Sequence, residues 1–263
     1  MGFQQVLDAI PIGGVFMTFA IVATIIGEGG YRLGRWRQAR TPEEKEGPTG
    51  MIVGSLLALL GFLLAISMGM ASDRFDKRRS LVLAEANSIG TTYLRAGYLP
   101  EPASADIRSL LREYVPLRVL PNDTAELRVR IVRSTEIQAK IWAIAEDLAR
   151  RMPESDVLAI FIESLNETID LHESRVTAGV YARVPVTILV LLLAGTLLTL
   201  GMVGYNAGLS RRRSSVTAAA LIIVMGAVIT LVIDIDRPRD GFLTVSQQPL
   251  IDLQQQIGAA AGP

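Results

Sequence analysis

Charge is absent from four stretches of the chain: residues 10–27, 51–72, 184–204 and 216–233 contain no Lys, Arg, Asp or Glu. Each is about 18–22 residues of mainly Leu, Ile, Val, Ala and Gly, and at about 1.5 Å per residue a helix of that length crosses a hydrocarbon core of roughly 30 Å. A segment surrounded by lipid must satisfy its own backbone groups, so helices are predicted and an open sheet is excluded. Residues 1–9 carry no Lys or Arg, so the first stretch is expected to be a retained helix and not a cleaved leader.

Between the second and third stretches the pattern changes. Leu127, Ile131, Ile137, Ile141, Ile144 and Leu148 keep three-to-four spacing, as do Val157, Ile160, Phe161, Leu165 and Ile169. This predicts amphipathic helices with a buried stripe. Breaks fall at Leu99-Pro-Glu-Pro102, Leu120-Pro-Asn-Asp123 and Arg151-Met-Pro153, with Asp123 or Thr124 and Ser155 as caps. Nothing interrupts Ser72 to Leu99, so the second crossing is expected to continue out of the membrane as one long helix. The helix from Ser155 is expected to reach the third crossing with only a kink at Pro185.

The expected fold is therefore an all-α membrane protein: four transmembrane helices with a helical bundle domain inserted between the second and third. The divisions are residues 1–72, a first helix pair with a basic loop at 28–50 that has room for a short basic helix; 73–183, the extramembrane helical domain; 184–234, the second pair; and 235–263, a C-terminal tail. Lys and Arg near the helix ends number eight on each side, so the positive-inside rule does not choose an orientation.

Composition agrees and removes several functions. Half of the 263 residues are hydrophobic, 20% are charged, and the mean hydropathy is +0.37. Net charge is zero with basic residues interleaved among acids, which leaves no footprint for nucleic acid. Cysteine is absent and His172 is the one histidine, so thiolate chemistry and paired-histidine metal sites are excluded. Gly27-Glu-Gly-Gly30 follows a membrane helix and not a strand, so it is no phosphate loop. No catalytic cluster, cofactor motif or metal site is found, and an enzyme is not expected.

What remains is a set of polar clusters and one apolar stripe. Ala58, Phe62, Ile66 and Met70 recur every fourth residue on the second crossing, the pattern of helix packing, of lipid contact, or of apolar rings around a pore. Asn166 and Asp170 share helical spacing with Glu163, Glu167 and Glu173, and salt bridges to Arg78, Arg95 or Arg112 are the favoured reading over a cation site. After the fourth crossing, Asp234, Asp236, Arg237, Arg239 and Asp240 form an ion or structural cluster. Pro238 and Arg239 occupy positions where an EF-hand needs a ligand and its glycine.

The string from Leu60 through Phe62-Leu-Leu-Ala-Ile66, Asp73-Arg-Phe-Asp-Lys-Arg-Arg79 and Glu85-Ala-Asn87 to Thr91 resembles the bestrophin-like family of bacterial membrane proteins. Arg112-Glu-Tyr114, Leu165-Asn-Glu-Thr-Ile-Asp-Leu-His172, Asp234-Ile-Asp-Arg-Pro-Arg-Asp-Gly241 and Val245-Ser-Gln-Gln-Pro-Leu250 extend the resemblance. That family is distantly similar to bestrophin channels, whose second membrane helix carries the pore neck and ends in a basic-aromatic pair like Arg74-Phe75. The resemblance implies a homo-oligomer, a pentamer, conducting inorganic ions in a bacterial inner membrane, with its helical domain in the cytoplasm. By it, Ala58, Phe62, Ile66 and Met70 become the neck, and Arg74, Glu85, Asn87, Asn166 and Asp170 a pore mouth or interhelix polar cluster. Its alternative is a non-conducting sensor or scaffold that recruits partners through the helical domain. Arg237 and Arg239 among the acids make calcium gating an unsuitable expectation.

Overall fold

The computed structural model describes residues 7–8, 10–41, 47–121, 123–180, 182–211, 215–237 and 241–259. Every regular element among them is a helix: α1 Ile12–Arg40, α2 Gly47–Ala96, α3 Ala103–Arg118, α4 Thr124–Arg151, α5 Asp156–Val180, α6 Val186–Leu209, α7 Ser215–Asp236 and α8 Gln248–Ala259. Four of them, α1, α2, α6 and α7, are long and apolar enough to span a membrane. The chain divides into two compact units, one of Met1–Phe75 with Arg183–Thr244 and one of Asp76–Ala182 with Val245–Pro263.

In the membrane unit, α1 and α6 approach at backbone distance. A Cβ added to Gly30 would fall on the carbonyl oxygen of Gly201, one on Gly34 on that of Tyr205, and one on Gly204 on that of Gly27. Small residues permit this, and in lipid close backbone packing is a principal source of helix association. Around that contact, Phe19, Leu60, Leu64, Leu192, Leu200, Ile229 and Ile233 form the apolar core. No more than 28% of any span's apolar window is fully buried within the chain, as expected of helices that meet lipid.

The extramembrane unit is a bundle of α3, α4, α5, α8 and the C-terminal half of α2 around Ile89, Ile107, Leu111, Ile137, Ile141, Phe161, Leu165, Leu250 and Leu253. Asp123 caps α4 by accepting the Ala125 N–H at 3.1 Å, and Ser155 Oγ accepts the Leu158 N–H at 3.3 Å. Arg130 donates to the carbonyls of Pro116 and Val119 at 3.2 and 2.7 Å, satisfying the open end of α3. Buried hydroxyls join α2 to α5: Ser88 meets Thr168 at 2.9 Å, and Thr92 donates to the Ser164 carbonyl at 2.9 Å.

The expected long second helix is present, 50 residues from Gly47 to Ala96. Four expectations are corrected. Arg32, Arg35, Arg37 and Arg40 lie on α1 itself and not in a loop or on a separate short helix, because the first helix continues to Arg40 through the Glu28–Arg32 pair at 3.0 Å and the glycine contact with α6. α5 ends at Val180 and α6 starts after Pro185, a break and not a kink, since proline lacks the N–H a continuing helix would use. Residues 245–259 form no free tail: α8 buries Leu250, Leu253 and Ile257 in the bundle. Val157 and Ile160, assigned to the buried stripe, are each 41% exposed.

Candidate functional site

On the membrane part of α2 two faces separate cleanly. Leu60, Leu64, Ser67 and Ala71 are buried against their own chain. The predicted neck residues lie on the other side: Ala58 is exposed, Phe62 is 63% and Ile66 43% exposed, and Met70 is half-buried. Successive members stand about 6 Å apart along the helix. Arg74, four residues beyond Met70, is half-buried.

The polar residues grouped with Arg74 do not gather. Asn87, Asn166 and Asp170 are exposed, whereas Glu85 is wholly buried in the extramembrane unit. There Glu85 accepts Arg118 Nε at 2.6 Å and Arg175 Nη1 at 2.5 Å. Arg175 also donates to the Arg118 carbonyl at 2.9 Å and to Gln247 Oε1 at 2.5 Å. One carboxylate on α2 thus binds guanidinium groups from α3 and α5, and the segment leading into α8 is held by the second of them. Of the anticipated bridges, Arg95 stands 3.9 Å from Glu163, while Arg112 donates to the Tyr93 hydroxyl at 2.9 Å.

Beside this cluster Tyr114 OH accepts Gln138 Nε2 at 3.0 Å and lies 3.3 Å from His172 Nδ1, for which it has its own proton. Burial, and then the charges of Arg118 and Arg175, push the His172 imidazole down from 6.5 to about 3, so it is neutral at physiological pH. Burial raises the Tyr114 phenol, against the opposing charge of Arg118. Arg118, Tyr114, Arg175 and Gln247 had no place in the sequence-derived clusters. The signal for two of them was the recurrence of Tyr114 and Arg118 on the apolar face of Leu111 and Val115; Arg175 and Gln247 carried none.

A pH dependence follows from His172. Its folded pKa lies below the unfolded 6.5, so the unfolded chain takes up the proton first and stability falls with pH between 6.5 and about 3. From pH 7 to pH 5 this amounts to about 2 kcal/mol at about 1.4 kcal/mol per unit. Chemical denaturation at both pH values should register that loss, and His172→Asn should flatten the dependence. A native protein equally stable at both would contradict the buried neutral imidazole.

The acids after α7 act as structural ligands to backbone. Asp234 accepts the N–H of Phe242 at 2.9 Å and of Leu243 at 3.1 Å. Asp236 accepts the Val184 N–H at 2.8 Å and stands 3.4 Å from Arg183 Nε, while Arg183 grips Asp8 at 2.6 and 2.9 Å. Arg237 donates to the carbonyls of Leu7 and Ile10. Arg239 and Asp240 lie outside the described residues. Among the described residues no three His, Cys, Asp or Glu side chains converge as a metal site.

The profile of the Bestrophin-like domain matches residues 21–250, nearly the whole chain. The chain belongs to the bestrophin-like family. A bacterial bestrophin homolog from Klebsiella pneumoniae carrying a leucine-to-threonine substitution superposes with a TM-score of 0.69 at 15% identity, covering 96% of this chain and 99% of that one. A second crystal structure of that homolog, with a tyrosine-to-alanine substitution, gives 0.66 at 15% identity over 93% and 96%. A crystal structure described as a membrane protein gives 0.68 at 13% identity over 94% and 99%. These likenesses are of fold. No curated protein matches.

Proposed function

We propose that this bestrophin-like chain forms a homo-oligomeric ion channel with passive conduction along an axial pore lined by α2. The observation that carries the reading is the exposed row of Ala58, Phe62 and Ile66 opposite a packed face on the same helix. Lipid alone could cover such a row, but it cannot cover the apolar residues exposed in the extramembrane unit. Leu94 and Tyr98 at the end of α2, and Val129 and Val132 on α4, are each more than half exposed there, two apolar pairs suited to burial against further copies of the chain. Family membership supports a pentamer in a bacterial inner membrane, with residues 73–183 in the cytoplasm and Arg74 at the inner mouth of the neck. Nothing in the reading needs a catalytic group or a cofactor.

Phe62→Ala tests it. If the ring faces the axis, truncation widens and wets an apolar constriction, so ion flux through purified protein in liposomes should rise several-fold. The thermal melt should stay unchanged, because the side chain packs little within its own chain. A loss on the order of 3 kcal/mol with no gain in flux would place Phe62 in a packing contact and remove the pore assignment. No flux from native protein assembled as a ring would turn the reading to a non-conducting scaffold.

A further inference from the structure

Between α1, α6 and α7 the membrane unit encloses a cleft of about 370 Å³. That volume lies within the range of small-molecule pockets, roughly 300–1,000 Å³. One end is apolar, walled by Ala23, Leu200, Leu221 and Ile222. Glu28, Tyr31, Ser215 and Thr217 line the other.

The polar end can be placed in depth. Ser215 and Thr217 open α7 within a few residues of the end of α6, and a connection this short between two spans must lie at a membrane surface. Glu28 is the first charge on α1, sixteen residues and about 24 Å along the helix from Ile12. The cleft therefore runs from headgroup level into the hydrocarbon. At its mouth Glu28 accepts Arg32 Nε at 3.0 Å, and the Arg32 side chain remains 78% exposed. Opposite charges thus stand one helical turn apart above an apolar slot.

We propose that this cleft is a phospholipid site whose occupant bears both an amine and a phosphate, a phosphoethanolamine lipid. One acyl chain fills the slot, restoring contacts that an empty void would forfeit. The ammonium group meets the Glu28 carboxylate, and the phosphate meets the Arg32 guanidinium, each through a charge-assisted hydrogen bond. Phosphatidylglycerol offers the same chain and phosphate but no cation for Glu28. The site requires only the spans and the cleft, so it stands or falls independently of conduction.

The test uses the full chain, delipidated in mild detergent and incubated with equal amounts of phosphatidylethanolamine and phosphatidylglycerol of matched acyl chains. Bound lipid is read by native mass spectrometry. Native protein should retain the ethanolamine lipid about tenfold better, the worth of one charge-assisted contact. Glu28→Gln should bring the ratio near one, and Ala218→Leu, on the cleft wall, should lower retention of both. Equal retention of the two lipids by native protein, an unchanged ratio in Glu28→Gln, or native-like binding by Ala218→Leu would each overturn the proposal. The native ratio needs no variant, so a misfolded substitution cannot mask the answer.

Discussion

Replacing Glu85 by glutamine is expected to cost the extramembrane unit about 3–5 kcal/mol, the penalty for breaking a buried ion pair from one side. The carboxylate is fully buried between two guanidinium groups that are themselves 5% and 8% exposed as side chains. Glutamine keeps the shape and one acceptor oxygen but leaves two buried cations with no counter-charge. An intact cluster can be matched in stability by apolar residues, so the large effect lies in removing one partner. Arg175→Met in the Glu85→Gln background should therefore recover part of the loss, giving a coupling that independent sites would not show. Trp142 reports on this unit, since Trp36 is the only other tryptophan and lies on α1. Denaturation of the full chain carrying Trp36→Phe, followed by Trp142 fluorescence, measures each variant. A Glu85→Gln cost below about 1 kcal/mol, the range of exposed pairs, would show that the cluster does not hold the bundle.

The parts of this fold legible in the sequence are those set by local chemistry. Four charge-free stretches announced the spans, because lipid tolerates little else. The prolines at 100, 102 and 153 and the cap at Asp123 marked helix ends for backbone reasons that act over a few residues. What escaped depends on partners distant in the chain. Glu85 meets residues 33 and 90 positions away, so its role as the centre of a buried cluster cannot be read from its neighbours. The arginines of 32–40 suggested a loop or a short separate helix, yet they continue α1, whose Gly30 and Gly34 meet α6 at backbone distance. α8 is only 12 residues long, too short for its amphipathic pattern to stand out before its docking site is known. The stripe of Ala58, Phe62 and Ile66 on α2 was legible as a pattern. Which face of that helix its own chain packs was not, and the packed face is the opposite one, with Leu60, Leu64, Ser67 and Ala71.

The glycine contact between α1 and α6 carries the largest expected effect in the membrane unit. Gly204→Leu should lower the melting temperature by about 6–12 °C, corresponding to about 3 kcal/mol, the upper part of the cost of overpacking. The cost is high because a Cβ at Gly204 meets the Gly27 carbonyl carbon and oxygen and the Tyr31 amide nitrogen, all backbone atoms. A flexible side chain could move aside. Here two helices must separate along their length, losing the matching approaches at Gly30 and Gly34. The control is on the same helix: an added Cβ at Gly195 meets nothing within 4 Å, so Gly195→Ala should leave the melt unchanged or slightly raised, alanine being the better helix former. Intermediate bulk distinguishes a true close approach from a general intolerance of apolar volume in the span. Gly204→Ala should already cost most of what leucine costs, because the first carbon makes the clash. A graded loss rising steadily from alanine to leucine would indicate that α1 and α6 can slide apart, and that the backbone contact is not what joins them.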